Sequence, residues 1–192
     1  MPDDATPREE IHEQEPVVSD DIAAAVVAKF PATVFHDSHG QAVVYVERGS
    51  WHDVTAFLRD EQQFTQGLDV TVVDHLVDME RLEIPGVAPE RFEVVANFLS
   101  HPRNRRIRMI CEVPEDETSI ASITDLYPGL NFGEREAYDL YGITFDGHPD
   151  LVRILMPDDW VGHPLRRDYP VGGETVEFSQ EHEKWQTAPE DA

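Results

Sequence analysis

The chain has 192 residues, the usual span of one domain, and its 40% apolar content is enough to build a core. Its 15 Lys and Arg against 39 Asp and Glu leave a net charge of −24, which argues against nonspecific nucleic-acid binding and against docking on an anionic leaflet, since both need clustered cations. A single cysteine, Cys111, excludes an internal disulfide and any Cys-ligated zinc or iron–sulfur site built by this chain alone. The N-terminus MPDDATPREE does not read as a signal peptide, and no apolar run reaches the ~20 residues of a membrane-spanning helix. The expected compartment is therefore reducing and cytoplasmic.

Residues 1–20 carry seven acids and one base, and residues 174–192 carry six acids and one base. Both ends lack apolar periodicity and read as solvated acidic tails, at 1–18 and 174–192. Between them, 19–145 reads as an α+β globular domain. A helix is predicted over 20–30, capped by Ser19 or Asp20 and ended by Pro31, with Ile22, Ala23, Val26, Val27 and Phe30 at helical spacing. Two short strands follow at about 32–37 and 41–48, with His39-Gly40 between them. A second helix begins near Ser50, its apolar stripe made by Trp51, Val54, Phe57, Leu58 and Phe64. Three further strands lie in DVTVVDHLVDM, RFEVVANFLS and RRIRMICEV. In the last, Ile107, Met109, Cys111 and Val113 share one face, so Cys111 reads as a buried core thiol. Helix, strands, helix, strands with short links favour a largely antiparallel or mixed sheet over a doubly wound one. A short helix is predicted from Thr118 or Ser119 to Tyr127. Asn131 then reads as an N-cap with Glu134 as its capping-box partner, Arg135 and Asp139 stand at i,i+4, and Gly142 is placed to end the helix.

The segment 146–173 contains four prolines and four glycines, which leave no room for a long helix or regular strand. Yet Leu151, Val152, Ile154, Leu155, Met156, Trp160 and Leu165 make it too apolar for a linker. Two readings fit: an extended arm on another protein, with Arg153, Arg166 and Arg167 pairing partner carboxylates, or an arm folded back over its own sheet.

Motifs for chemistry are sparse. His36 and His39 sit at a turn, where their rings need not converge. Asp146, His148, Asp158, Asp159, His163 and Asp168 have the chemistry of a metal set but no scaffold to gather them. There is no GxGxxG after a strand, no GxxxxGK[ST] and no GxSxG. Glu134 and Glu136 point apart on a helix and do not make an acid/base pair. An Arg flanked by two acids, as Arg135 is, also suits an interface.

The run Glu134-Arg135-Glu136-Ala137-Tyr138-Asp139-Leu140-Tyr141-Gly142-Ile143, then Gly147-His148-Pro149, Arg153-Ile154-Leu155, Asp158-Asp159-Trp160 and Pro164-Leu165-Arg166-Arg167-Asp168-Tyr169, resembles the C subunit of the proton-pumping NADH:quinone oxidoreductase, respiratory complex I. The resemblance extends more weakly back to Arg91-Phe92-Glu93-Val94-Val95 and the basic strand at 105–113. Gly133 stands where the family has an aromatic, and Val152 where it has a second Arg.

The resemblance implies a scaffold component of the complex's peripheral arm, on the cytoplasmic side of the membrane. It implies no catalytic, cofactor-binding or metal-binding residue in this chain, with NADH, FMN, iron–sulfur clusters and quinone handled by other subunits. It implies the D subunit of the complex as the main partner, with the B subunit beside it. The partner interface would then comprise Glu134, Arg135, Glu136, Asp139 and Gly142 on the helix, the Gly147-His148-Pro149 turn, and Arg153, Leu155, Trp160, Arg166 and Arg167 on the arm. Related ferredoxin-, F420- or hydrogenase-type complexes would suit the same pattern. A soluble metal-dependent enzyme using His148, His163 and the nearby aspartates is the alternative of another class.

Overall fold

Apolar residues at every second position place Phe92, Val94, Ala96 and Phe98 of one strand beside Ile107, Met109, Cys111 and Val113 of the next, all fully buried or nearly so. In the computed structural model, which describes residues 20–78 and 81–170, this hairpin is the centre of the fold. The elements run α1 (Asp21–Lys29), β1 (Val34–Ser38), β2 (Gln41–Tyr45), α2 (Trp51–Asp60), β3 (Gln66–Asp74), β4 (Phe92–Ser100), β5 (Arg105–Val113), β6 (Ser119–Ala121), α3 (Asn131–Tyr141) and β7 (Thr144–Asp146). Five strands form one sheet in the order β1-β2-β5-β4-β3. Only the β2–β5 pairing in it is parallel, so the sheet is mixed and the fold α+β, as the element order predicts. The acidic tails, Ser19 and residues 171–173 lie outside the described residues.

Helices α1 and α2 cover the inner face, where Ile22, Val26, Trp51, Val54 and Leu58 join the strand residues in one core cluster. Asp20 is the cap of α1, its Oδ1 accepting the N–H groups of Ile22 and Ala23 at 3.0 and 2.9 Å. Helix α3 lies along the edge strand β3. A Cβ at Gly133 would stand 3.1 Å from the Val70 carbonyl oxygen, so a side chain there would require helix or strand to give by a few tenths of an ångström. The glycine, where the family resemblance leads one to expect an aromatic, thus stands at a close helix–strand approach.

The segment 118–127 departs from the predicted helix. It holds no α-helix; Ser119–Ala121 instead pairs in parallel with Thr144–Asp146, bringing Ile120 opposite Phe145. The predicted Asn131 cap is also corrected. A 3₁₀ turn at Pro128–Leu130 runs straight into α3, Leu130 is the cap residue, and no side chain caps the helix.

Cys111 is completely buried, and burial pushes its thiol up to about 12. In the folded chain it is expected to resist alkylation at neutral pH, and to react once the chain is denatured. Mass spectrometry of iodoacetamide-treated samples checks this; rapid native labelling would contradict the core position.

Candidate functional site

The last carbonyls of a helix have no partners within it and sit at the negative end of its dipole. Helix α3 ends at Gly142 in the left-handed conformation, φ 74°, the cap expected there. The segment after β7 folds back onto this end. His163 Nδ1 donates to the Asp139 carbonyl at 2.9 Å, the Leu165 N–H to the Leu140 carbonyl at 3.0 Å, and Arg166 Nε to the Tyr141 carbonyl at 2.6 Å. Cationic and backbone donors of the arm thus satisfy the orphan carbonyls.

The side chain of Asp139, fully buried, organises the start of the arm. Its Oδ2 accepts the N–H groups of Ile154, Leu155 and Met156 at 3.0, 2.7 and 2.8 Å, and its Oδ1 accepts Arg153 Nη1 at 2.7 Å. Burial alone would raise this carboxyl. The N–H groups of Met156 and Leu155, the Arg153 guanidinium and the Ile154 N–H outweigh it and hold the group down at about 2. Arg153 also donates to the Trp160 and Gly162 carbonyls, at 3.1 and 3.2 Å. Arg135 donates to the carbonyls of Val152 and Arg153, at 3.0 and 3.1 Å.

These contacts lie within the chain. Arg153 spends its charge on Asp139 of its own chain, Arg166 on a helix carbonyl, and Arg135 on the arm's backbone instead of on Asp139 at i,i+4. Arg167 binds within the chain too: its N–H donates to Asp74 Oδ2 at 2.9 Å, and Nη1 to the Leu76 carbonyl at 3.4 Å.

Glu134 is not a capping partner. It is completely buried, accepting from Ser122 Oγ at 2.7 Å and from the Ile123 N–H at 2.8 Å. Burial pushes its carboxyl up to about 7, against those two hydrogen bonds, and Asp125 adds to the rise. Glu134 ties α3 to the stretch after β6, which explains why that stretch is not free to form a helix of its own.

A second clamp is not evident from the motifs. Arg91 donates to Asp74 through Nε and Nη2, at 3.1 and 3.0 Å, and pairs with Asp168 of the arm at 2.8 Å and with Glu115. Its guanidinium lies 4.7 Å from the Phe92 ring centre, and that of Arg166 lies 5.2 Å from the same ring. The signal for it lies in the strand pattern: Asp74 continues the buried register of Val70 and Val72. An aspartate on a core-facing position requires an internal cation.

The arm therefore has a face held by its own domain and a face that is not. Leu151 packs against the core, whereas Val152, Leu155, Val161 and Leu165 are 45%, 57%, 86% and 49% exposed, as is Phe132 of α3 at 64%. Glu136, Gly147 and Pro149 are exposed. His148 accepts the Asp150 N–H through Nδ1 at 3.0 Å. The indole N–H of Trp160 is buried without a hydrogen-bond partner among the described residues. His148, His163 and the nearby aspartates are not brought together, and no group of three or more His, Cys, Asp or Glu gathers at one point among the described residues. None of the described helices is long and apolar enough to cross a membrane.

The close seat of the arm makes Gly142 sensitive. A Cβ there would lie 2.6 Å from His163 Nε2 and 2.8 Å from Arg166 Nη2. With the left-handed backbone adding roughly 1–2 kcal/mol, Gly142→Ala is expected to lower Tm by about 2–8 °C in calorimetry. An unchanged Tm would mean that neither the left-handed backbone at Gly142 nor the seat of the arm resists a methyl group.

Residues 44–175 match the family described as respiratory-chain NADH dehydrogenase, 30 Kd subunit. The C subunit of the NADH-quinone oxidoreductase of Herpetosiphon aurantiacus is 41% identical over 160 residues, covering 83% of this chain and 88% of that one. A solved trypsin-resistant fragment, 1-134, of Nqo5 superposes with a TM-score of 0.58 at 32% identity, covering 68% of this chain and 96% of the fragment. The membrane-bound sulfane sulfur reductase, an archaeal respiratory membrane complex, contains a chain with a TM-score of 0.61 at 18% identity, covering 89% and 93%. That likeness is one of fold.

Proposed function

Since the chain belongs to the respiratory-chain NADH dehydrogenase 30 Kd subunit family, which is the C subunit of NADH-quinone oxidoreductase, we propose that it acts as a cofactor-free scaffold in the peripheral arm of the complex. On this reading it docks on the D subunit, next to the B subunit and the quinone module, on the cytoplasmic side of the membrane. NADH, FMN, iron–sulfur clusters and quinone belong to other subunits, and the chain alone turns nothing over.

The observation that supports this best is the two-sided arm. Arg153, His163, Arg166 and the Arg167 N–H are committed inward to Asp139, Asp74 and the end of α3, so it is held in shape before any partner arrives. Four of its large apolar side chains, Val152, Leu155, Val161 and Leu165, are exposed, where an isolated domain gains nothing from them. A preorganised apolar strip loses little entropy on docking. The partner contact is accordingly apolar, and the arginines named in the family pattern act by shaping the strip.

The test is affinity purification of tagged chain from detergent-solubilised membranes, with an absorption spectrum of the isolated chain. The D and B subunits should co-purify, and substitution of Leu155 and Val161 by Asp should release them. Recovery with hydrogenase-type partners, or of the chain alone, would overturn the assignment to this complex. A flavin or iron–sulfur spectrum from the isolated chain would overturn the cofactor-free role.

A further inference from the structure

The outer face of the sheet carries a patch whose charge runs against that of the chain. Because Ile107 and Met109 face the core, Arg106 and Arg108 of β5 project from the other side. Arg106 is exposed and makes no side-chain hydrogen bond or ion pair among the described residues; Arg108 makes a single contact, to Asn97 Oδ1 at 3.3 Å. Their neighbours behave differently. Arg105 pairs with Asp20, and Arg103 with Asp21 at 3.7 Å. The Arg106 and Arg108 guanidiniums line a groove of about 300 Å³ with Gln41, Ala42, Asn97 and Leu68. Leu68 sits at the irregularity in β3 between Gly67 and Asp69, and is 38% exposed. Asp69 is the one carboxylate on the groove among the described residues.

We propose that this groove is the docking site of the acidic segment that precedes Asp20 in the same chain. Three observations converge on that occupant. The first is charge: residues 1–19 hold six acids and one base, while the groove offers two arginines without carboxylate partners among the described residues. The second is position. The ion pairs of Asp20 with Arg105 and of Asp21 with Arg103 fix the start of α1 at the β4–β5 turn, the end of the sheet where Arg106 and Arg108 stand. From Arg105 to Arg108 is about 10 Å along the strand at ~3.3 Å per residue. The six residues from Val18 back to Glu13 can span about 20 Å. The third is pattern: in Glu9-Glu10-Ile11-His12-Glu13-Gln14-Glu15-Pro16-Val17-Val18 acids are interspersed with apolar residues, which suits a groove that sets the exposed Leu68 side chain alongside two arginines. Tethering raises the effective concentration of such a segment to the millimolar range, so weak individual contacts suffice. The segment covers the basic end of a sheet that would otherwise attract anionic chains.

The experiment places a nitroxide on full-length chain through Ile11→Cys, native Cys111 being buried, and reads broadening of backbone amide signals. At low ionic strength, where screening reaches about 30 Å, the amides of Asn97, Arg106 and Arg108 are expected to broaden severalfold more than those of the arm. The effect is expected to vanish in 1 M salt, where screening falls to about 3 Å, and in the Arg106→Glu/Arg108→Glu variant. These outward positions tolerate the change, and preserved amide dispersion elsewhere verifies the fold. Broadening that survives charge reversal, that falls on another surface, or that is absent overturns the proposal. So does broadening transferred to unlabelled isotope-enriched chain in a mixed sample, which would make the occupant a second copy.

Discussion

Arg153→Ala is expected to loosen the arm from helix α3 while the sheet domain stays folded. Arg153 is the one cation on the buried carboxylate of Asp139 among the described residues, with its side chain 17% exposed and that of Asp139 0%. Opening a buried pair from one side costs roughly 3–5 kcal/mol because the remaining charge is stranded. Here three backbone N–H groups still serve Asp139, so the low end, roughly 3 kcal/mol, is the better expectation. At tenfold per about 1.4 kcal/mol, amide exchange at Ile154, Leu155 and Met156 should accelerate by about two decades. Exchange in the middle of β4 and in β5, which neither Arg153 nor Asp139 touches, should be unchanged. Asp139→Asn should do at least as much despite its matching shape. One end of its amide is a donor, which must face either Arg153 or the three N–H groups. If the proposed scaffold role is right, both variants lower the amount of assembled complex on native gels and leave quinone turnover per assembled complex near normal. Normal assembly with lost turnover would move Arg153 from shaping an interface to serving the quinone module.

What is legible in the sequence follows from how local the determining physics is. Helices α1 and α2, and the hairpin β4–β5, are written in side-chain spacing, although Phe64, expected on the stripe of α2, lies past its end, and Val27 and Phe30 of the first helix are only partly buried. Thr118–Tyr127 misleads because Ile120, Ile123 and Tyr127 recur at helical spacing. Its fate is instead decided by β7, more than twenty residues later, and by Glu134, which takes the Ile123 N–H. The arm shows the same limit. Proline and glycine exclude regular structure, and that can be read directly. Which carboxylates its arginines meet depends on α3 and β3 lying beside it, so spacing cannot tell Asp139 and Asp74 from a partner's acids. The buried register of Asp74 is the clue that spacing does offer. Gly133 and Gly142 are visible as residues, but their reasons, the backbone of β3 and the rings and guanidiniums of the arm, are contacts in space.

Glu134→Gln is expected to remove a loss of stability that the native chain suffers between pH 4.5 and 7. Glu134 is buried beside Ser122 and Ile123, and the charged group acting on it, Asp125, carries the same sign. An unfolded chain releases this proton near 4.5, the ordinary value, whereas the folded chain holds it to about 7. The folded state thus binds the proton more tightly. The stability this contributes is present in full below pH 4.5, declines as pH rises to 7, and is gone above it. Within that window the slope is at most about 1.4 kcal/mol per pH unit. A glutamine carries no proton to lose. Its oxygen can accept the Ile123 N–H, its amide can donate to Ser122 Oγ, and that hydroxyl can turn to Thr124 Oγ1, 2.8 Å away. Near pH 4.5 the two chains should match; above pH 7 the variant should be the more stable. Asp139, held down at about 2, contributes stability of the opposite dependence, lost only as pH falls toward that value, and it does so in both chains. The difference between urea-unfolding free energies of variant and native chain, followed across pH, therefore isolates Glu134. Glu134→Ala separates charge from structure, because it strands Ser122 and the Ile123 N–H and should destabilise at every pH. Parallel curves for the native chain and Glu134→Gln would mean that Glu134 ionises freely where it lies, with water or a cation reaching it.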